Sequence, residues 1–449
     1  MKFHLIGAGG VGMVAVAELL ASRGQTVTGS DATASANTQR LESIGVTIFI
    51  GQDAGNVDPD AAVVISSAIK PANPELAIAR ARGQRILHRS EALALAATGL
   101  DFIAVAGAHG KTTTSGMLAV ALTEAGLDPS YAVGSTLPGG ASGAKLGGGD
   151  VFVAEADESD GSFLNYTPAV AIVTNIEPDH LDHYGTEEAF QQAFVDFAAC
   201  RVRGGLLIGC GDDEGAAALL QAAEGRRWSY GTGNQVPGTD AHIKITITGP
   251  GTATLTFQPN RGPHASATVR LAVPGDHMLL NAASAWATGI ELGVDPETMA
   301  RALGTFRGTG RRFEKRGTKN SIDVYDDYAH HPTEVEATIR ATAQQSEGRI
   351  LVVFQPHLYS RTQNFAREFA KALDLADDVI VTGVYGAREE PVEGVDGFLI
   401  TDQMVRGEFV EDMHEAARVI ASRAQPGDLI VTMGAGSVTK LGPEILDLL

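Results

Sequence analysis

The sequence predicts an α/β protein of three domains, each built on a mostly parallel sheet wound with helices. Three observations carry that expectation. Short apolar runs alternate with helical patterns along nearly the whole chain, as βαβ units do. Two glycine-rich turns, at residues 7–12 and 107–110, each lie between an apolar run and a helical pattern. At 449 residues the chain is also longer than one hydrophobic core accommodates. The expected divisions are 1–100, a Rossmann-like domain; 101–308, a P-loop domain with a β insert; and 309–449, a second Rossmann-like domain.

The first domain opens with a strand at 3–6, the turn Gly7-Ala8-Gly9-Gly10-Val11-Gly12 and a helix through Leu20. A second strand over 26–30 ends at Asp31. Glycines spaced G-x-G-x-x-G after a strand, with an acid about twenty residues on, form a dinucleotide-binding fingerprint. Gly7, Gly9, Gly10 and Gly12 would cradle a diphosphate, and Asp31 would accept from a ribose hydroxyl. A nicotinamide cofactor or any nucleotide diphosphate fits that nest. The run 63–68 reads as a buried strand whose hydroxyls, Ser67 among them, fall at the sheet's carboxyl edge. Residues 85–89 close the unit.

The second domain begins with the apolar run 102–106, followed by Gly107-Ala108-His109-Gly110-Lys111-Thr112-Thr113-Thr114 and a helical pattern. Strand, glycine turn, Gly-Lys-Thr and helix make up the layout of a phosphate-binding loop. Backbone amides and the helix N-terminus attract the anion. Lys111 can reach the β- and γ-phosphates, and the Thr112 hydroxyl can hold Mg²⁺. The spacing is short, because Val105 stands where the standard loop has its first glycine. These residues predict an ATP or GTP site.

A glycine-rich stretch, 134–149, reads as a mobile loop or a linker. Two buried strands then lead into acidic clusters, Glu155-Ala156-Asp157-Glu158-Ser159-Asp160 and Glu177-Pro178-Asp179-His180-Leu181-Asp182-His183. Both clusters should share a sheet edge with the phosphate loop. Carboxylates repel a triphosphate unless a cation intervenes, so the pair points to Mg²⁺, with a histidine as an acceptable ligand. Alternation between 241 and 273 predicts the antiparallel β insert, and a helix should run from about 276 to 290.

Gly308-Thr309-Gly310-Arg311-Arg312-Phe313 looks like a hinge carrying two arginines. Beyond it, strands are expected at 322–325, 350–354, 379–382 and 429–433, with helices at 333–344, 362–373 and 411–423. Two strand ends carry Asp326-Asp327-Tyr328-Ala329-His330-His331-Pro332 and Gln355-Pro356-His357-Leu358-Tyr359-Ser360-Arg361. The Ser/His/Asp content of these loops does not make a hydrolase, since no G-x-S-x-G elbow is present.

Composition narrows the function. With 54 acidic against 34 basic residues, the formal charge is −20. A polyanion repels nucleic acid and anionic membranes, which leaves small-molecule partners. Two cysteines make neither a disulfide framework nor a zinc quartet, and no apolar run is long enough to span a bilayer. A cytoplasmic protein is expected, as a monomer or weak homodimer.

Taken together, these motifs resemble the Mur ligases of bacterial cell-wall synthesis, in family order and over nearly the whole chain. The glycine-rich start and the Asp-Asp-Tyr-Ala-His-His-Pro motif are most similar to the members that add L-alanine. The resemblance implies an ATP-dependent ligase joining L-alanine to the carboxylate of UDP-N-acetylmuramate through an acyl phosphate, with Mg²⁺. It implies that the first domain binds UDP rather than NAD. Lys111 would hold the β/γ-phosphates, Thr112 one Mg²⁺, and Glu155 with His180 the metals. Gly107, His109, Gly110 and Thr113 complete the ATP loop. Asn281 would contact adenine, Arg312 the phosphates, Asp327 and His330 the far side of ATP. His357 and Arg361 would lie near the alanine carboxylate.

Three positions depart from the family pattern. Ala108 replaces a threonine, Met278 an asparagine, and Leu358 an arginine beside His357, so carboxylate recognition falls to Arg361. No lysine lies between Lys145 and Lys244, so the carbamylated lysine of some family members has no candidate here. Competing readings are an NAD-dependent oxidoreductase, a non-catalytic nucleotide switch, and a family ligase that recycles a peptide.

Overall fold

The computed structural model describes residues 1–137, 140–345, 348–387 and 389–449, and only the backbone of residues 181 and 182. Three sheets organise the chain. Contacts group it into two compact units. One comprises Met1–Thr248, Thr252–Arg270 and Leu280–Phe306; the other comprises Gly249–Gly251, Leu271–Leu279 and Arg307–Leu449. The first two sheets thus share one compact unit, and the third sheet lies in the other.

The first sheet runs in the order Thr47–Ile50, Thr26–Asp31, Lys2–Ile6, Ala62–Ile65, Ile86–His88, all parallel. The winding reverses at Lys2–Ile6. Such a switch point opens a crevice beyond the strand ends, and residues 7–12 lie there. Ile6, Val63, Leu76 and Ala79 pack one face of this sheet. The strand predicted over 63–68 stops at Ile65, and Ser66 and Ser67 turn out into the crevice loop.

The second sheet has ten strands, in the order Ala265–Arg270, Thr252–Pro259, Ala241–Gly249, Arg226–Gly231, Leu206–Cys210, Val170–Val173, Asp101–Ala106, Val151–Glu155, Ser130–Ala132, Ala144–Lys145. Its central strands are parallel and almost wholly buried, as near-continuous apolar runs require. Here the winding reverses at Asp101–Ala106. The loops after its two neighbours, Val151–Glu155 and Val170–Val173, therefore flank the phosphate loop. The β insert is a continuation of this sheet: Ala241–Gly249 joins parallel to Arg226–Gly231, and Thr252–Pro259 pairs antiparallel with Ala265–Arg270. From the glycine-rich stretch, Ala144 and Lys145 pair with Ala132 and Tyr131 at the sheet edge, while residues 138 and 139 lie outside those described.

The third sheet is ordered Glu314–Lys319, Ile322–Asp327, Leu429–Met433, Ile350–Phe354, Asp378–Val381, Glu408–Phe409, parallel except for its first pair. Ile350–Phe354 shows why the run is uninterrupted. Ile350, Val352 and Phe354 pack against Pro332–Ala343 and Tyr359–Leu373, whereas Leu351 and Val353 pack the opposite face with Met413–Arg423. Alternate residues point to opposite faces, and both faces are covered.

Candidate active site

The phosphate loop joins Asp101–Ala106 to the helix Lys111–Glu124. Two glycines in it have no substitute. At Gly107, with φ 131°, a Cβ would lie 2.1 Å from Thr174 Oγ1; at Gly110, with φ 84°, it would lie 2.9 Å from Asn281 Oδ1. The loop is pinned from the neighbouring strand end. The His109 amide donates to Asn175 Oδ1 at 2.9 Å, and its carbonyl accepts from Thr174 Oγ1 at 2.6 Å and Asn175 Nδ2 at 3.0 Å. Gly110 caps the helix without any side-chain hydrogen bond, so the first-turn amides stay available to an anion.

The acidic loops meet this turn as their strand positions require. Glu155 ends its strand with Oε2 accepting from Thr112 Oγ1 at 3.1 Å and Oε1 accepting from the Gly134 amide at 2.5 Å. Lys111 donates to Glu158 Oε1 at 2.7 Å. Burial disfavours the lysine charge, but Glu158, Asp157 and Glu155 outweigh it and hold the ammonium pKa above its ordinary value. His180 takes a left-handed backbone, φ 52°, with its amide on Asp179 Oδ1 at 2.8 Å. Its Nε2 lies 3.7 Å from Glu158 Oε1. Burial again opposes the charged form, and Glu158 with Asp179 raises the imidazole pKa despite it. Tyr184 donates to the Glu158 carbonyl at 2.5 Å, which ties the two acidic loops together.

One hydroxyl, several carboxylates and an imidazole are the donors a hard divalent cation accepts beside phosphate, so the residues present fit Mg²⁺. Thr112, Glu155 and His180, singled out from the sequence, fall at this edge together with Lys111. Sequence reasoning did not single out Glu158, which is more deeply buried than Glu155. Nor did it find Asp157 and Arg89, joined by an ion pair at 2.5 Å across the first and second sheets. An acid cluster after a strand was visible in the sequence; which of its members face inward was not.

At the first sheet's edge the glycine loop is held differently. Gly7 and Ala8 amides donate to the Ser30 carbonyl at 2.9 and 2.8 Å. The Gly9 amide donates to Asp31 Oδ2 at 2.9 Å. Gly12 leaves room for Arg89, whose NH1 lies 2.5 Å from where a Cβ would be. Ser67 is exposed in the next loop.

The C-terminal unit gathers Arg312, Asp327, His330, His357 and Arg361 at its own sheet edge. Asp327 accepts from the amides of Phe313 and Ala329 at 2.7 and 2.8 Å, and burial pushes its pKa up to about 6. Arg312 pairs with Glu334 at 3.5 Å and lies over the Tyr328 ring. The His330 ring meets the His357 ring edge-on, 5.6 Å between centroids. Arg361 is buried, its Nη1 3.4 Å from His357 Nδ1. Leu358 is buried too, in a left-handed backbone with φ 68°. Arg311, by contrast, is a brace, donating to the Gly434 carbonyl at 2.6 Å and facing Asp326.

Comparison with known proteins gives the family. Three family profiles match in succession: Mur ligase family, catalytic domain, at residues 2–99; Mur ligase middle domain, at 105–289; and Mur ligase, glutamate ligase domain, at 311–436. The UDP-N-acetylmuramate–L-alanine ligase of Kineococcus radiotolerans is 50% identical across 100% of this chain and 96% of its own. The chain belongs to the Mur ligase family. A second relative, the enzyme of the same description from Paenarthrobacter aurescens, is 49% identical across 100% of this Mur ligase and 97% of its own length. Among solved structures, the UDP-N-acetylmuramate–alanine ligase of Thermotoga maritima superposes with a TM-score of 0.79 at 29% identity, covering 100% of this chain and 98% of that one. A murein peptide ligase from Psychrobacter arcticus gives 0.73 at 27% identity, with the same coverages. This Mur ligase is therefore an ATP-dependent ligase of three-domain architecture. Among the described residues, no helix is long and apolar enough to cross a membrane.

Proposed function

We propose that this Mur ligase joins L-alanine to the carboxylate of UDP-N-acetylmuramate in the cytoplasm, as a step of peptidoglycan precursor synthesis. The observation that carries the substrate assignment is identity near one half, over the full length, to relatives that bear that description. The domains would divide the work at 1–100 for UDP, 101–308 for ATP and 309–449 for closure over ATP and the amino acid.

A carboxylate is a poor electrophile and repels ATP, so it must be activated first. The γ-phosphoryl group passes to the muramic carboxylate, giving an acyl phosphate and ADP. The alanine amine attacks the acyl carbon, and phosphate leaves. Lys111 and Arg312 neutralise charge on the transferring group, which is most of what such a step requires. The amides at the start of Lys111–Glu124 orient the phosphates. Asn281, buried against Gly110, would contact the adenine. Thr112, Glu155 and His180 would hold Mg²⁺, which when bound screens the phosphates from the acidic loops. Asp327 and His330 would steady the nucleotide's far side, and His357 with Arg361 would receive the amino acid. Closing the 308–313 hinge would keep water from the acyl phosphate.

The test is phosphate release with each substrate withheld in turn. Release should require UDP-N-acetylmuramate and an amino acid together, and L-alanine should outperform L-serine, glycine and a peptide. Preference for the peptide would move the chain to the recycling ligases, and release without an acceptor would make it a nucleotide switch.

A further inference from the structure

Lys111 is fully engaged by the protein itself. Its ammonium has three protons and meets three acceptors: the Gly107 carbonyl at 2.6 Å, the Ala108 carbonyl at 3.2 Å and Glu158 Oε1 at 2.7 Å. A triphosphate oxygen can gain this lysine only by displacing one of them. The carbonyls belong to the loop that must cradle the phosphates, so Glu158 is the partner that can be given up.

Glu158 stays in place when the lysine leaves. Its side chain is completely buried, and among the described residues its Oε2 has no hydrogen-bond partner. Its backbone cannot follow a departing lysine, since the carbonyl accepts from Tyr184 Oη at 2.5 Å and the Gly161 amide at 3.0 Å. A buried carboxylate that loses its cation is left uncompensated, and that cost opposes transfer of the lysine to the nucleotide.

We propose that Glu158 is a positioning residue that parks Lys111 over the phosphate loop and releases it to the nucleotide. It acts through Lys111 and touches no reacting atom. Nucleotide affinity is lowered by the cost of breaking the parked pair, and in return the lysine is held at the loop instead of collapsing elsewhere. The proposal rests on reading this loop as the ATP site.

The experiment measures ATP binding by calorimetry in EDTA, which removes metal effects, together with UDP-N-acetylmuramate binding as a control for the fold. Glu158→Gln should bind ATP roughly tenfold more tightly than the wild type, the scale of one charge-assisted hydrogen bond, with UDP-sugar affinity unchanged. Equal or weaker ATP binding by a folded Glu158→Gln overturns the role of Glu158. Failure of the wild type to bind ATP overturns the reading of the loop itself. A second measurement needs no nucleotide. Lys111→Met strands the buried carboxylate and should lower the Tm by on the order of 5 °C, and adding Glu158→Gln should restore it. A purely structural Glu158 would make the double variant less stable than Lys111→Met, which would also overturn the proposal.

Discussion

The chain uses the same backbone device twice, and the two copies are held by opposite charges. Residues 7–12 and 107–110 both turn from a central parallel strand into a helix at a switch point. In the first, an acid holds the loop: Asp31 accepts from the Gly9 amide. In the second, a cation sits over the loop, with Lys111 held by Glu158. Glycine geometry supplies the anion nest in both places, and the neighbouring side chains set how much negative charge each nest accepts. A triphosphate carrying transferable phosphoryl calls for the lysine and the carboxylate–imidazole cluster. A diphosphate that would only anchor a sugar needs no such cluster, since amides and a helix terminus attract it.

The largest expected effect tests that division directly. Lys111→Ala should lower ATP-dependent amide formation on the order of 10³-fold or more, while the Kd for UDP-N-acetylmuramate stays put. Loss of both to the same extent would mean that the two loops do not have separate ligands. Next come the cation ligands. Glu155→Ala and His180→Ala should each reduce turnover about 10²-fold at limiting Mg²⁺ and recover part of it at high Mg²⁺. An unchanged Mg²⁺ dependence in both would break the metal assignment, and chelation should silence the wild type.

The ion pair between the two edges is a smaller matter. Arg89→Ala leaves Asp157 without its guanidinium and should cost about 1–3 kcal/mol of stability, reduced from a fully buried pair because both side chains keep some exposure. The pH dependence has a definite sign. Burial works against the Asp157 charge, but Arg89 and Lys111 hold its pKa below the ordinary 3.8. That contribution is complete above the ordinary value and disappears as pH falls through the depressed one. Denaturant titrations of wild type and Arg89→Ala should therefore differ at pH 7 and converge in strong acid.

The residues that were hardest to read from the sequence are those in that pair. Apolar runs announce parallel strands, so 350–354 and 429–433 match the observed strands end to end. Glycine turns between a strand and a helix announce the loops, because Gly7, Gly107 and Gly110 take positive φ, which glycine adopts without strain. Sheet order is not local, so the sequence did not say that the two acidic loops flank the phosphate loop on opposite sides, or that Ala241–Gly249 extends the same sheet. Nor does a run such as Glu155-Ala156-Asp157-Glu158 say which acid turns inward; the Tyr184 and Gly161 hydrogen bonds decide that, and they come from elsewhere in the chain. Arg89 follows a strand that looked like the end of a domain, yet its partner lies 68 residues on.

The smallest effect separates charge from hydrogen bonding at the first loop. Asp31→Asn keeps an oxygen that can accept from the Gly9 amide, and it keeps an acceptor for a ribose hydroxyl. Asp31→Ala loses both. If the acid serves as a hydrogen-bond acceptor, the alanine variant should bind UDP-N-acetylmuramate about three- to tenfold more weakly, the range of one hydrogen bond, and the asparagine variant should stay within about twofold of wild type. A carboxylate beside a diphosphate is electrostatically unfavourable, so its presence calls for a geometric reason, and the Gly9 contact supplies one. Equal damage from asparagine and alanine would show that the negative charge itself is needed. The contrast between an acid-held loop and a cation-held loop would then have to be redrawn around a positive group in the first site.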